Sequence, residues 1–211
     1  MIEIENLTFA YGRQPPIFEG FRWRASQGEA WAVIGPSGCG KSTLLYLLAG
    51  LRHPTGGAIR VAGQPVERPR PGTGLILQDH GLLPWASVWA NTRLGLTIRG
   101  FYGPDGRHAP RGDRLTKSEV ERRVGRWLER LGIADLRDKY PAQLSGGQRQ
   151  RTAIARTLVL EPDLLLMDEP FSALDAPTRA DLQNLAVELR RETGLTTVIV
   201  THNIEEAVFL G

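Results

Sequence analysis

The sequence predicts an α/β protein built around a mostly parallel sheet. Stretches typical of buried strands occur as AWAVIG, DLLLMD and LTTVIVTH, at residues 30–35, 163–168 and 195–202. Segments with apolar residues at helical spacing lie between them. A glycine-rich loop joins the first of these strands to the helix that follows. Because strands that alternate with helices along a chain pair in parallel, the three observations together indicate one parallel sheet.

Two further strands are predicted at the start of the chain. Residues 2–11 alternate apolar and polar side chains, as a half-buried strand does. Residues 17–25 have the same character, and Gly28 marks a turn before the apolar run AWAVI. That run is short and ends in glycine, which is typical of a strand buried inside a sheet.

The glycine-rich loop leads into a helix over KSTLLYLLAGL, which ends near Gly50. A turn, a short strand and another turn follow over residues 53–66. Pro and Gly then dominate up to Gly74, and the run TGLILQ predicts a further buried strand.

Residues 82–160 are predominantly helical in character, with clear apolar spacing over residues 117–131 and 146–160. Residues 100–114 contain four Gly and two Pro, which predicts a surface loop or a mobile segment. The α/β pattern then returns, with the strands DLLLMD and LTTVIVTH on either side of a long helix.

The composition is that of an ordinary globular domain. The chain has 211 residues, 41% of them hydrophobic and 23% charged, which suits one large domain. A net charge of +3 without Lys or Arg blocks is weak evidence for nucleic-acid binding, and we expect no nucleic-acid partner. Cys39 is the only cysteine, so no internal disulfide forms, and neither a signal peptide nor an apolar run of membrane-spanning length is visible. We therefore expect a cytoplasmic protein.

Residues 35–43, GPSGCGKST, fit the phosphate-binding pattern G-x-x-x-x-G-K-[ST] in full. Glycines let the backbone curl so that its N–H groups point at phosphate oxygens, and the N-terminus of the next helix adds partial positive charge. Lys41 is expected to reach the β- and γ-phosphates, and Ser42 to offer its hydroxyl to Mg²⁺. Cys39 is either a thiol acidified by the helix N-terminus or a small residue that contributes only its N–H.

Three side chains at strand ends complete this predicted site. Asp168 follows a buried strand, at the sheet edge where α/β proteins bind ligands, and is expected to anchor Mg²⁺. Glu169 comes next and can align and polarise the water that attacks the γ-phosphate. His202 closes another buried strand and is expected to contact the γ-phosphate. The alternatives are helix capping or a solvated strand end for the carboxylates, and a structural role for the histidine.

A second glycine-rich stretch, LSGGQRQR, occupies residues 144–151. Ser145 followed by Gly146 and Gly147 is the pattern of a helix N-cap. The same pattern offers a hydroxyl and backbone N–H groups to an anion at a helix start. We expect both roles to hold, so that the cap is also an anion site.

These residues, in this order, resemble the nucleotide-binding ATPase subunits of ABC transporters over essentially the whole chain. The unaltered LSGGQ before LLLMDEP is the most specific part of the match. The resemblance implies an ABC-type ATPase core with a P-loop, an N-terminal antiparallel β subdomain and an α-helical subdomain. Its motifs correspond to an adenine-stacking aromatic at Tyr11, Walker A at Gly35, Pro36, Ser37, Gly38, Cys39, Gly40, Lys41, Ser42 and Thr43, the Q-loop at Gln78, the signature at Leu144 to Gln148, Walker B at Leu164 to Asp168, the catalytic glutamate at Glu169, the D-loop ending in Asp175 and the H-loop at His202.

The resemblance also implies ATP and Mg²⁺ as cofactors. Ser42, Gln78 and Asp168 would contact the metal or the attacking water. The alternative for Tyr11 is an aromatic that only ends a strand, and the alternative for Gln78 is a polar strand end; stacking and the metal or water contact are favoured over them. In the family two such subunits pair head to tail, so that Ser145, Gly146, Gly147, Gln148 and Asp175 of one chain face the nucleotide held by the other.

The segment QDHGLLPWASVWANTRLGL is similar to importer ATPases of the nitrate, sulfonate and taurine group. That similarity implies separate membrane permease subunits, a separate substrate-binding protein and a position on the cytoplasmic face of the membrane. Residues 82–85 and Trp89 either contact the permease or pack internally. The alternative class is a soluble or exporter-type ABC ATPase of DNA repair, translation or lipoprotein release. No heptad run or zinc module typical of the soluble members is visible.

The resemblance further divides the single domain into an ATP-binding core over residues 1–81 and 161–211 and a helical subdomain over residues 82–160. Family members usually continue beyond the position of Gly211, so the C-terminal end of the usual domain is expected to be missing.

Overall fold

The computed structural model describes residues 1–101 and 115–211, and most of the predicted loop 100–114 lies outside them. The strands of the described residues are β1 (Ile2–Phe9), β2 (Phe18–Ala25), β3 (Ala30–Ile34), β4 (Gly56–Val61), β5 (Gln64–Pro65), β6 (Thr73–Ile76), β7 (Leu164–Asp168) and β8 (Thr196–Thr201). The helices are α1 (Lys41–Leu48), α2 (Val88–Phe101), α3 (Lys117–Arg130), α4 (Gly146–Leu158), α5 (Ala176–Thr193) and α6 (Ile204–Leu210). The predicted α/β class is confirmed.

The strands form two four-stranded sheets. One has the order β2-β1-β4-β5 and is antiparallel, with Ile4 opposite Trp23 on one side and Ile59 on the other. The second sheet has the order β3-β8-β7-β6. Its β8 pairs in parallel with both β3 and β7, so the carboxyl ends of these strands meet at one edge.

Two compact units share the chain. The first contains residues 1–75, 163–169 and 183–211, and the second contains residues 76–162 and 170–182. The first unit holds most of both sheets and helix α1, whereas the second holds α2, α3 and α4.

Helix α1 connects the two sheets of the first unit. It contacts β4 of the antiparallel sheet and β7 and β8 of the parallel sheet. Four of its leucines are buried in the main apolar cluster, together with alternating residues of β1, β7 and β8. Because burial of apolar area holds α1 from both sides, the loop that begins this helix has a fixed position at the sheet edge.

Strand β3 departs from its sequence prediction. The apolar run AWAVI predicts a fully buried strand, but Trp31 is 39% exposed and Ile34 48% exposed. The reason is strand order, since β3 lies at an end of its sheet and pairs only with β8 among the described residues. By contrast, every residue of β7 and β8 is buried, because these two strands occupy the middle.

The second unit is a helical assembly. Helix α4 packs against α2 and α3, and α2 also packs against α3. The capping box of α3, formed by Thr116 and Glu119, begins the helix, which buries Val124 and Leu128. In the described part of the chain no helix has the length and apolar character needed to cross a membrane.

Candidate nucleotide-binding site

The phosphate loop lies between the carboxyl end of β3 and the start of α1. Gly40 has φ 99°, and a Cβ there would come within 2.3 Å of Ile17 Cγ2, so only glycine fits. Gly40 is also the N-cap of α1 and provides no side-chain hydrogen bond. The first N–H groups of α1 therefore have no side-chain cap at this position, as an anion site at a helix N-terminus requires.

Lys41 folds back over this loop. Its Nζ donates to the carbonyl oxygens of Gly35 at 2.8 Å and Pro36 at 2.9 Å, and the residue is buried. A buried ammonium group needs such partners when no anion is near. The same group can exchange these carbonyls for phosphate oxygens without leaving the loop.

Ser42 and Asp168 bring two oxygen ligands together. The Ser42 hydroxyl donates to Asp168 Oδ1 at 3.0 Å, and Asp168 is 4% exposed at the carboxyl end of β7. Burial raises the pKa of Asp168, the hydrogen bond from Ser42 opposes this shift, and the neighbouring Glu169 carboxylate adds to it. A cation beside Asp168 would therefore favour its charged form.

The 3.0 Å between the two oxygens is the length of their hydrogen bond, and it also allows both to bind one Mg²⁺ ion. Adjacent ligands of an octahedral Mg²⁺ ion with bonds of about 2.0–2.1 Å lie about 2.9 Å apart. Among the described residues no group of three or more His, Cys, Asp or Glu side chains could hold a metal alone. Such a site fits Mg²⁺, which proteins usually bind through one or two side chains together with phosphate and water.

Glu169 and His202 form a pair beside this site. Glu169 Oε2 lies 3.2 Å from His202 Nδ1, at the carboxyl ends of β7 and β8. Glu169 has φ 44°, a left-handed conformation that costs a non-glycine residue about 1–3 kcal/mol. Its N–H donates to the carbonyl of Val200 at 2.9 Å, so the chain turns directly after β7 and directs this carboxylate to the histidine.

Tyr11 lies next to the phosphate loop. Its hydroxyl is 3.2 Å from Thr43 Oγ1, and its ring meets the ring of Phe9 edge to face with centroids 4.9 Å apart. The guanidinium of Arg52 lies 5.8 Å from the Tyr11 ring centroid. The first unit thus brings Tyr11, the phosphate loop, Asp168, Glu169 and His202 together.

The signature residues belong to the second unit, where they begin α4. Gln148 N–H donates to Ser145 Oγ at 3.3 Å, and Ser145 N–H donates to Gln148 Oε1 at 2.9 Å. This capping box shows that the predicted N-cap exists. The Ser145 hydroxyl accepts in this arrangement, so its own proton stays available for an anion.

Thr178 lies against Gly147 and is hydrogen-bonded to Asp175. A Cβ at Gly147 would come within 2.5 Å of Thr178 Cγ2. Thr178 in turn donates its N–H and its hydroxyl to Asp175 Oδ2, at 3.2 and 3.0 Å. These bonds lower the pKa of Asp175. Asp175 is thus the cap of α5, and α5 begins against the signature helix.

Gln78 also lies in the second unit, two residues after β6. The segment that follows carries Trp85, which is 74% exposed. Trp89 is half-buried, with the guanidinium of Arg137 4.4 Å from its ring centroid. Of the two tryptophans considered for a partner contact, only Trp85 is therefore displayed on the surface.

Sequence patterns missed the residue that holds this segment. Asn91 is fully buried, and its Oδ1 accepts from Leu83 N–H at 2.8 Å. Its amide donates to the carbonyls of Leu83, Ala86 and Ser87 at 2.8 to 3.1 Å. A polar residue inside the apolar spacing of α2 was the only signal available.

Comparison with known families gives one result. The family model described as ABC transporter matches residues 18–172 of the chain.

Curated relatives resemble the chain over its whole length. The taurine import ATP-binding protein TauB of Escherichia coli (strain K12) is 41% identical over 210 residues, which are 100% of this chain and 76% of that protein. TauB of Pseudomonas aeruginosa is 41% identical over 209 residues, which are 99% of this chain and 74% of that protein.

Solved structures have the same fold. CbiO1 from Clostridium perfringens, part of the ABC transporter complex cbiONQ, has a TM-score of 0.82 and 30% identity, covering 99% of this chain and 81% of its own. The ATP-binding cassette MJ0796, a dimer in a post-hydrolysis state with ADP and Pi, has a TM-score of 0.84 and 30% identity, covering 99% of this chain and 91% of its own.

Proposed function

The chain belongs to the ABC transporter family, and on that premise we propose that it hydrolyses ATP to import taurine or a related small sulfonate. It is an ATP-binding and ATP-hydrolysing subunit of a nutrient importer, and it acts with membrane permease partners. The alternative of a soluble or exporter-type ABC ATPase is not favoured, because the similarity to import proteins covers the whole chain.

One observation supports the proposed chemistry above the others. Two pairs, Ser42 with Asp168 at 3.0 Å and Glu169 with His202 at 3.2 Å, lie at the sheet edge where the phosphate loop begins α1. The first pair suits a metal that bridges phosphates. The second pair suits a general base, the Glu169 carboxylate, that orients a water molecule while the His202 imidazole holds the carboxylate in place. Phosphoryl transfer needs both kinds of group and little covalent chemistry.

We assign the steps as follows. Lys41 leaves the carbonyls of Gly35 and Pro36 and binds the β- and γ-phosphates, while the N–H groups at the start of α1 hold the β-phosphate. Ser42 and Asp168 would hold Mg²⁺, with Gln78 as a further ligand. The ion would neutralise charge that develops on the phosphate oxygens. Tyr11 would contact the adenine.

Glu169 then aligns the attacking water along the axis of the γ-phosphate, and accepts its proton. His202 keeps that carboxylate in place through the 3.2 Å contact and contacts the γ-phosphate. The left-handed backbone at Glu169 supports this role, because strained residues that the surrounding structure fixes concentrate at active sites.

The signature acts on a second copy of the chain. Ser145, Gly146 and Gly147 begin α4 with a free hydroxyl proton and helix N–H groups, which suit the γ-phosphate of a nucleotide bound by a partner subunit. Head-to-tail pairing would complete two ATP sites at once. A dimeric cassette among the similar solved structures supports this assembly.

The conformational change driven by ATP would be transmitted to the permease through Trp85 and its neighbours, on the cytoplasmic face of the membrane. Trp85 is 74% exposed on a segment that Asn91 fixes through hydrogen bonds, as suits an aromatic anchor for a partner helix. A separate binding protein would deliver the substrate.

The substrate class is tested in proteoliposomes that contain this chain with its permease and binding protein. Taurine is expected to raise ATP hydrolysis several-fold above the rate without substrate, and nitrate is expected to raise it less. ATP hydrolysis that responds to nitrate and not to taurine would reassign the substrate. Hydrolysis that responds to neither, but to a lipoprotein acceptor, would contradict import.

A further inference from the structure

The segment that carries Gln78 has an unusual backbone. His80 has φ 67° and Gly81 has φ 56°, so two successive residues are left-handed. Local hydrogen bonds close the turn, from His80 N–H to Leu77 O at 3.0 Å and from Gly81 N–H to Asp79 Oδ1 at 3.1 Å. A left-handed histidine is strained, so further contacts must hold this turn in place.

Arg156 supplies those contacts from the last turn of α4. One terminal nitrogen of its guanidinium donates to Gly81 O at 2.6 Å, and the other donates to His80 O at 2.8 Å. Burial lowers the pKa of Arg156 and Asp79 opposes this shift, but an arginine keeps its charge in proteins. A rigid charged fork on two neighbouring carbonyls fixes both position and orientation.

His80 lies near the other end of the same helix. Burial lowers the pKa of its imidazole, and the backbones of Asp79 and of Gly146, the first residue of α4, oppose this shift. Gly146 and Arg156 are ten residues apart, about 15 Å along a helix. The turn after Gln78 is therefore bonded to Arg156 at one end of the helix that begins with the signature glycines, and its His80 side chain lies near the other end.

We propose that Arg156 and His80 are positioning residues that hold the Gln78 segment and the signature at a fixed distance within the second unit. The inference rests on the proposed function, in which Gln78 responds to the chain's own nucleotide and the signature closes over the partner's. With both on one rigid element, the occupation of one ATP site alters the signature offered to the other. Arg156 thereby makes the two sites of a dimer cooperative.

The test compares ATP hydrolysis by the purified Arg156→Lys variant with that of the wild-type full chain. A lysine ammonium is a compact point charge without the rigid planar fork of a guanidinium, so the orientation of the two carbonyls is no longer fixed. The Hill coefficient of ATP hydrolysis is expected to fall from clearly above 1 to about 1, while ATP affinity at low protein concentration stays unchanged. His80→Asn is expected to lower the Hill coefficient by a smaller amount, because asparagine tolerates the left-handed backbone but lacks the imidazole that lies near Gly146.

Arg151→Lys is the matched control. Arg151 lies on the same helix, and its guanidinium donates to Leu131 O at 3.0 Å, away from the Gln78 segment. It should lose comparable thermal stability and keep the wild-type Hill coefficient. Equal Hill coefficients for Arg156→Lys and wild type, or equal losses in Arg156→Lys and Arg151→Lys, overturn the inference alone. A wild-type chain that neither dimerises with ATP nor hydrolyses it overturns the proposed function as well.

Discussion

Gly147 and Gly146 are adjacent in the signature but meet different surroundings. A Cβ at Gly147 would lie 2.5 Å from Thr178 Cγ2, whereas at Gly146 the nearest atom, Ala173 O, would lie 3.8 Å away. Thr178 is itself held by two hydrogen bonds to Asp175. Gly147 thus serves the packing of α4 on the start of α5, whereas Gly146 has open space beside the helix N-terminus, as the proposed phosphate contact needs.

Gly147→Ala should therefore destabilise the chain by about 1–3 kcal/mol, as overpacking does, and weaken ATP-driven dimerisation. Thr178→Ser in the same chain removes the obstructing methyl group and keeps the hydroxyl bond to Asp175, so it should restore most of the loss. Urea unfolding and sedimentation with ATP measure both effects. If the double variant is no better than Gly147→Ala alone, the contact with Thr178 is not the cause.

At the scale of the element, Asn91 makes one loop rigid. Its side chain uses both its oxygen and its amide on the backbone between Leu83 and Ser87, and Trp85 lies within that stretch. The hydrogen-bonded side chain of Asn91 stabilises the folded chain, since each buried backbone group left unpaired costs about 1–3 kcal/mol.

Asn91→Leu should accordingly lower the free energy of unfolding by about 2–4 kcal/mol, because several backbone groups lose their partner at once. Trp85→Ala is the matched control on the same loop, and at 74% exposure it should change stability by less than about 0.5 kcal/mol. Urea titration separates the two. Trp85→Ala should also reduce the stimulation of ATP hydrolysis by the permease, and an unchanged stimulation would exclude Trp85 as an anchor.

Local sequence patterns predicted most elements well. The strands ending at Asp168 and Thr201 and the capped helix at Ser145 follow from runs and caps only a few residues long. Strand β3 was assigned correctly, but its burial was wrong, because a run such as AWAVI does not contain the order of strands in the sheet.

Residues whose partners lie far along the chain could not be predicted in this way. Asn91 and Arg156 bind backbone carbonyls, and any residue type can supply a carbonyl, so no pattern marks the partner. The candidate site residues could be proposed from the sequence for the opposite reason. Phosphate and metal chemistry demands particular side chains at fixed spacing, as in residues 35–43.

At the scale of the whole molecule, the groups that we propose bind phosphate fall into two sets. The first unit contains the phosphate loop, the pair Ser42 and Asp168, and the pair Glu169 and His202. The second contains the signature cap at Ser145, whose N-terminal groups suit an anion. The central claim is that the second set acts on the nucleotide of a partner chain, so that neither copy hydrolyses ATP efficiently alone.

The most direct test combines two substitutions. Glu169→Gln should retain ATP and accumulate as a dimer in analytical ultracentrifugation, because closure occurs and hydrolysis does not. Adding Ser145→Arg should return that variant to a monomer that still binds ATP with the affinity of the single variant. The contradicting result is a Ser145→Arg chain that loses ATP binding as a monomer, because the signature would then act on the nucleotide of its own chain.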